Sequence, residues 1–209
     1  MLFTETVEPD TLGVLKELMR LPVLENFALV GGTNLSLKLG HRISVDLDIF
    51  SNEDFESDLI IPEIKAKFDN FEVLRKTKRS FAGVIGNLKI DIVLHQYPYL
   101  HEIEEIEGIR FVSIPDVVAM KLNAISKRGA KKDFYDLANL LDLYSIEEML
   151  SFFKTKYSNE EIGFVVHSMY YFEDAEMQEN PISLKNETWE DVKKKVQKSV
   201  DDFINRRLS

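Results

Sequence analysis

Asp46 and Asp48 stand one residue apart in the apolar run SVDLDIF, downstream of a glycine pair, Gly31 and Gly32, in LVGGTN. Alternate side chains of a strand share a face, so both carboxylates point one way while Leu47 and Ile49 turn to the core. KIDIVL repeats the arrangement, with Ile90 and Ile92 inward and Asp91 outward. If the two strands are neighbours, three carboxylates converge, and each raises the proton affinity of the others. A divalent cation relieves that conflict. Hard oxygen ligands on a rigid sheet suit Mg²⁺, which takes one or two carboxylates and completes its shell with water and phosphate oxygens. A pair of such ions can clamp the attacking and leaving oxygens of an in-line phosphoryl displacement. The glycines supply the other half of the chemistry. Gly31 and Gly32 let backbone amides approach a polyphosphate, the next helix presents its positive end, and Thr33 adds a hydroxyl. The plain alternatives are a simple strand-to-helix turn for the glycines and edge charges that deter aggregation for the aspartates.

That chemistry requires a strand, a tight turn, a helix and a second strand in succession, and the sequence supplies them. FALVGG reads as a short buried strand ending in glycine, TNLSLKLG as a helix of about two turns closed by Gly40, and SVDLDIF as an alternating strand. Before them, PDTLGVLKELMRL has amphipathic spacing, with Asp10 or Thr11 as its cap. After them, SDLIIPEIKAKF predicts a helix with Pro62 near its first turn. FEVLRKTK, FAGVIG, LKIDIVLH and IRFVS are strand-like, and the Gly86-Asn87 pair signals a hairpin between the second and third. From Pro115 onward the spacing turns helical, ending in a helix from Thr188 to Arg207 anchored by Trp189. The expected organisation is therefore an α/β domain over residues 1–114 and a helical domain over 115–209, with a cleft between them as a natural ligand site.

Composition sets the outer limits. A chain of 209 residues with 44% hydrophobic and 11% aromatic content can bury a sizeable core. It has no cysteine, which excludes disulfides and thiolate metal sites and fits a reducing compartment. No basic-then-apolar leader and no stretch of the ~18 apolar residues a bilayer span needs is visible, so a cytoplasmic protein with no membrane partner is expected. A net charge of −10 argues against general nucleic-acid affinity. The basic residues nevertheless cluster at 75–79, 127–132, 193–195 and 206–207. Each cluster reads either as a local positive patch or as a solvated loop or helix face. The four histidines lack metal-ligand spacing, and SMYYF at 168–172 reads as core or partner surface.

The ordered set Gly-Gly-Thr, Asp46-Leu47-Asp48 and an apolar-flanked Asp91 resembles the nucleotidyltransferase superfamily with the DNA polymerase β-like palm. The longer strings GGTNLSLKLGHRISVDLDIF and DVVAMKLNAISKRGAKKDFYDLANLL resemble its AbiEii/AbiGii-type toxin branch, over roughly residues 25–143. The resemblance implies an α+β fold, a mixed sheet with flanking helices followed by a C-terminal helical bundle. It implies transfer of a nucleoside monophosphate from an NTP to an acceptor, with pyrophosphate released. The implied acceptor is RNA, such as a tRNA 3′ end, and the implied setting is a toxin–antitoxin or phage-defence pair with an antitoxin protein as partner. Carried over, the family pattern places Gly31, Gly32 and Thr33 at the phosphate turn. It makes Asp46 and Asp48 ligands of one or two Mg²⁺, with Asp91 as a third carboxylate. Lys121 goes to the nucleotide's phosphates, and Asp133 or, preferentially, Asp136 orients or deprotonates the acceptor. Arg42 and Ser44 either contact the nucleotide or, for Arg42, pair with an acidic neighbour. The clusters at 75–79 and 127–132 are the expected places for RNA backbone contacts. Two other readings stand beside this one: transfer to a small molecule such as an aminoglycoside or to a protein, and a non-catalytic partner-binding module on the same fold.

Overall fold

The computed structural model describes residues 1–208. The chain divides into two compact units, one of residues 1–40 and 44–113, the other of His41–Ile43 and the chain from Ile114 onward.

In the first unit, α1 (Pro9–Met19) leads through a 3-10 turn to β1 (Ala28–Val30), α2 (Gly31–Leu39), β2 (Asp46–Ser51) and α3 (Ser57–Lys67). β3 (Phe71–Lys76), β4 (Ser80–Ile85), β5 (Leu88–Leu94), β6 (Glu104–Ile106) and β7 (Ile109–Phe111) follow. Among the described residues they form one seven-stranded sheet in the order β3-β4-β5-β2-β1-β7-β6. It is mixed: β2 runs parallel to β5 and β1 to β7, while β1 and β2 are antiparallel. Leu47, Ile49, Ile90 and Ile92 pack into the core with Leu15, Leu18, Leu29 and Phe111. Their alternation with Asp46 and Asp48, both half-buried, fixes the register, because a one-residue slip would put the isoleucines in water.

Several local expectations need correction. α1 begins at Pro9, whose fixed φ suits the first helical position, so Glu8 rather than Asp10 or Thr11 occupies the cap. α2 starts at Gly31, two residues before the predicted helix, and ends as predicted at Gly40 in the left-handed conformation, φ 65°. Pro62 lies inside α3, past its first turn. β6 carries no alternating apolar signal and was not anticipated.

The second unit contains α4 (Ile114–Arg128), α5 (Lys131–Leu140), α6 (Ile146–Lys156), α7 (Ile162–Tyr170), the short α8 (Glu173–Glu176) and α9 (Trp189–Leu208). Ser145 and Glu148 close the start of α6 with a capping box. Trp189 packs against the rings of Phe134, Tyr135 and Phe172. Residues 41–43 join this unit through backbone bonds, Ile43 N–H to the Ile182 carbonyl at 2.9 Å and Leu184 N–H to the His41 carbonyl at 2.9 Å. Among the described residues no helix is long and apolar enough to cross a membrane.

Candidate active site

Gly31 turns β1 into α2. Its φ of 70° lies in the left-handed region, and a Cβ there would fall 3.1 Å from Asp48 Cγ and closer still to Oδ2. Only glycine allows the backbone to meet that carboxylate so closely. The antiparallel register sets this up by pairing Val30 with Asp48. Val30 caps α2 without a side-chain hydrogen bond. The helix therefore aims its first amides and its partial positive charge into the region where the Asp48 side chain ends. Gly32 is buried in that first turn. Thr33, also buried, donates its hydroxyl to the Asp46 carbonyl and lies 2.8 Å from Ser44 Oγ. Its hydroxyl, expected to serve a phosphate, thus ties the start of β2 to α2. Ser44 is anchored in turn by its backbone N–H on the Thr6 carbonyl, 2.8 Å. Asn34 donates to the carbonyls of Leu29 and Val112 at 2.7 and 2.9 Å, which holds β1 and the end of β7 to the same helix.

Asp91 lies directly opposite Asp48 across the parallel β2–β5 pair, and Lys89 lies opposite Asp46. The three carboxylates therefore share a face, as the alternation predicts. Asp91, however, is 8% exposed and turned to cations, with Arg75 Nη2 at 2.7 Å and Lys89 Nζ at 3.0 Å. Burial pushes its pKa up, but Arg75 and Lys89 outweigh burial and hold it below the ordinary carboxylate range. Among the described residues no three acidic or imidazole groups are drawn together into a metal cage. The donor set that fits a divalent ion here is the pair Asp46 and Asp48. They are hard oxygens beside a glycine turn, in the number Mg²⁺ uses when phosphates supply the rest of its shell.

The second unit holds a different charge cluster. Asp136, fully buried, receives Arg42 Nε at 2.7 Å and Nη2 at 3.0 Å, Lys121 Nζ at 2.6 Å and His41 Nε2 at 2.7 Å. Asp133, also buried, receives Lys121 at 2.8 Å and Arg128 Nε at 2.9 Å. Burial would raise both carboxyls, yet Arg42 and Lys121 hold Asp136 well below the usual range, and Lys121 and Arg128 hold Asp133 below it. Burial alone would lower the Lys121 ammonium, but Asp133 and Asp136 keep it raised.

In this structure Asp133 and Asp136, expected to orient or deprotonate the acceptor, face the cations of their own unit. Lys121 and Arg42, expected at the phosphates, are 5% and 3% exposed and directed at these acids, with Arg42 Nη1 on the Ile43 carbonyl at 2.9 Å. The basic runs are likewise matched by acids. Lys76, Lys78 and Arg79 pair with Asp58, Glu56 and Asp54, and Lys193 and Lys195 pair with Glu176 and Asp142. Sequence reasoning missed His41, whose only signal was its place before Arg42, and Lys89, and it put Arg75 in a cluster expected to meet RNA; the faces of Arg75 and Lys89 depend on sheet register.

A mixed sheet with a glycine turn feeding a helix and an Asp-x-Asp strand beside it is the architecture of a nucleotidyltransferase. The structure is similar to JHP933 from Helicobacter pylori, with 19% identity, TM-score 0.58 and coverage of 97% of this chain and 94% of that one. It is also similar to MenT4, a nucleotidyltransferase toxin from Mycobacterium tuberculosis H37Rv, with 15% identity, TM-score 0.55 and coverage of 90% and 83%. An uncharacterized protein of Aquifex aeolicus (strain VF5) is 32% identical over 203 residues, 93% of this chain and 92% of its own length. Residues 13–206 match the family model described as nucleotidyl transferase AbiEii toxin, type IV TA system. The chain belongs to the AbiEii family and is a nucleotidyltransferase.

Proposed function

We propose that this protein transfers a nucleoside monophosphate from an NTP to an RNA acceptor and releases pyrophosphate, acting as the toxin of a pair with an antitoxin protein. The observation that carries the reading is the seat of Asp48 on Gly31, which puts a metal-binding carboxylate and the amides of a helix start within reach of one triphosphate. In this reading Asp46 and Asp48 hold one or two Mg²⁺. A bound ion would act as a Lewis acid on the reacting phosphoryl group and neutralise the charge that builds on the leaving pyrophosphate. The first amides of α2, from Gly31 to Thr33, receive phosphate oxygens, and the helix dipole adds to their pull. Thr33 contributes through the backbone, since its hydroxyl keeps the Asp46 carbonyl, and so the whole strand, in place against the helix. Lys121 and Arg42 act from within the second unit as an ionic framework with Asp133 and Asp136.

A second reading keeps the chemistry and changes the acceptor to a small molecule or a protein side chain. It is favoured by the pairing of Lys76, Lys78 and Arg79 with acids, which removes much of the positive patch that RNA would use. The deciding experiment incubates the protein with labelled NTPs and separate pools of bulk RNA, small-molecule acceptors and protein. Label in RNA, lost in Asp46→Asn with the fold intact, supports the first reading. Label in another pool alone supports the second. Full activity in Asp46→Asn would overturn both.

A further inference from the structure

The strand β3 is not regular. Its pairing with β4 runs Val73↔Gly83 and then Arg75↔Ala82, so Leu74 is an extra residue in a β-bulge. Without the bulge, Leu74 would face Ala82 and Arg75 would face Phe81, a core side chain. The bulge moves Arg75 by one place and turns it to the opposite face of the sheet. On that face the transverse row reads Arg75, Ala82, Asp91, Asp48. Ala82 is small enough for the guanidinium to reach over it to Asp91, at 2.7 Å. Lys89 shares the face with Asp91, two residues away on β5, and closes on it from the side at 3.0 Å. Bulges that re-aim a side chain recur beside active sites. This one puts a cation that is 73% exposed on Asp91, which lies opposite Asp48 on the neighbouring strand.

We propose that Arg75 and Lys89 form a movable counter-ion pair for this site. Before nucleotide arrives they neutralise Asp91; when it arrives they leave Asp91 and bind the phosphate chain. The inference rests on the reading of Asp46 and Asp48 as metal ligands and deepens it. Charge arithmetic gives the pair its purpose. Three carboxylates on neighbouring strands repel one another, and Arg75 and Lys89 set two positive charges beside Asp91. A metal ion alone on Asp46 and Asp48 then meets the repulsion of the two cations beside Asp91. A triphosphate removes that obstacle, because its oxygens offer the guanidinium and the ammonium a more highly charged partner. Metal and nucleotide therefore bind together better than either binds alone. Long, partly exposed side chains suit such a transfer, since little packing is lost when they swing.

The proposal predicts effects of opposite sign. Mn²⁺ binding without nucleotide, followed by electron paramagnetic resonance, should tighten about two- to fivefold for Arg75→Ala or Lys89→Ala, the range for partly exposed charges. Adding Asp91→Asn to either variant should cancel the gain. Binding of a non-hydrolysable NTP with Mg²⁺, followed by calorimetry, should weaken in the same two variants by a similar factor. Both changes should shrink as ionic strength rises. A merely structural ion pair would move thermal stability and leave these two affinities unchanged or shift them in the same direction; either result overturns the proposal. Wild-type protein that binds metal and nucleotide through Asp48, with no change in Arg75→Ala or Lys89→Ala, would sink this inference alone. Binding that survives Asp48→Asn unchanged would sink the metal reading, and this inference with it.

Discussion

The protein holds two groups of aspartates whose environments differ in burial and in the charges around them. In the second unit Asp133 and Asp136 are fully buried and matched by Lys121, Arg42, Arg128 and His41. In the first unit Asp46 and Asp48 are half-buried on a sheet face beside a helix start, and Asp91 on the next strand meets Arg75 and Lys89. Burying a charge is costly unless it is paired, and a buried pair costs more to break than it contributes in place. Like charges held together on a partly exposed face repel one another, and a ligand that joined them would relieve that repulsion. Sequence spacing makes Asp46-x-Asp48 and Asp133-x-x-Asp136 look like equivalent motifs. Their surroundings show that they are not.

This contrast can be broken at either end. The largest effect is expected for Asp48→Asn: nucleotide transfer should fall about a thousandfold or more, the several kcal/mol that a metal ion supplies to phosphoryl chemistry. Its thermal midpoint should stay within about 2 °C of wild type, because one of two repelling charges is removed from a partly exposed face. Unfolding of this variant would erase the distinction. Asp136→Asn should do the reverse. It leaves buried cations without their acid, at a cost of about 3–5 kcal/mol in urea unfolding, or roughly 10 °C in thermal midpoint for a chain of this size. A normal midpoint would show that the buried cluster does not support the fold.

Gly31→Ala probes the seat of Asp48. The left-handed backbone should cost about 1–2 kcal/mol, and the new methyl should displace the carboxylate and lower transfer by tenfold or more, on the order of the loss expected from a small misplacement in a reacting site. Unchanged activity would mean that the carboxylate does not need that seat. The smallest expected effect is a difference in acid sensitivity. Asp136 and Asp133 have folded pKa values below their unfolded ones. Their stabilisation is therefore full above the unfolded carboxyl pKa, about 4, and is lost as pH falls through the depressed folded values. A melting series from pH 7 to pH 3 should show wild type falling more steeply at the acid end than Asp136→Asn. Parallel curves would remove Asp136 from the account.

How far the sequence could be read depended on range. Period-two alternation around Leu47 and Ile49, with the glycines at 31, 32 and 40, located the first strand–helix–strand unit, because each signal is local. The shared face of Asp48 and Asp91 followed once their strands were taken as neighbours. The fate of Asp91 did not follow. Arg75 reaches it only through the Leu74 bulge, and an extra residue in a ladder leaves no mark in an apolar pattern. Spacing marks Lys121 and Asp136 as chemistry-bearing residues but carries no sign of their mutual pairing, since it cannot distinguish a cation that meets phosphate from one that meets a buried acid. β6, three residues long with two exposed glutamates, had no apolar period to announce it.

Residues 41–43 belong with a part of the chain that resumes only at Ile114. A truncation beginning at Ile114 would therefore delete Arg42 and His41, leaving buried Asp136 with Lys121 but without its guanidinium and imidazole partners. The two compact units cannot be separated by a single cut. The shortest helical fragment with a chance of folding alone must have that tripeptide grafted back or supplied as a separate peptide.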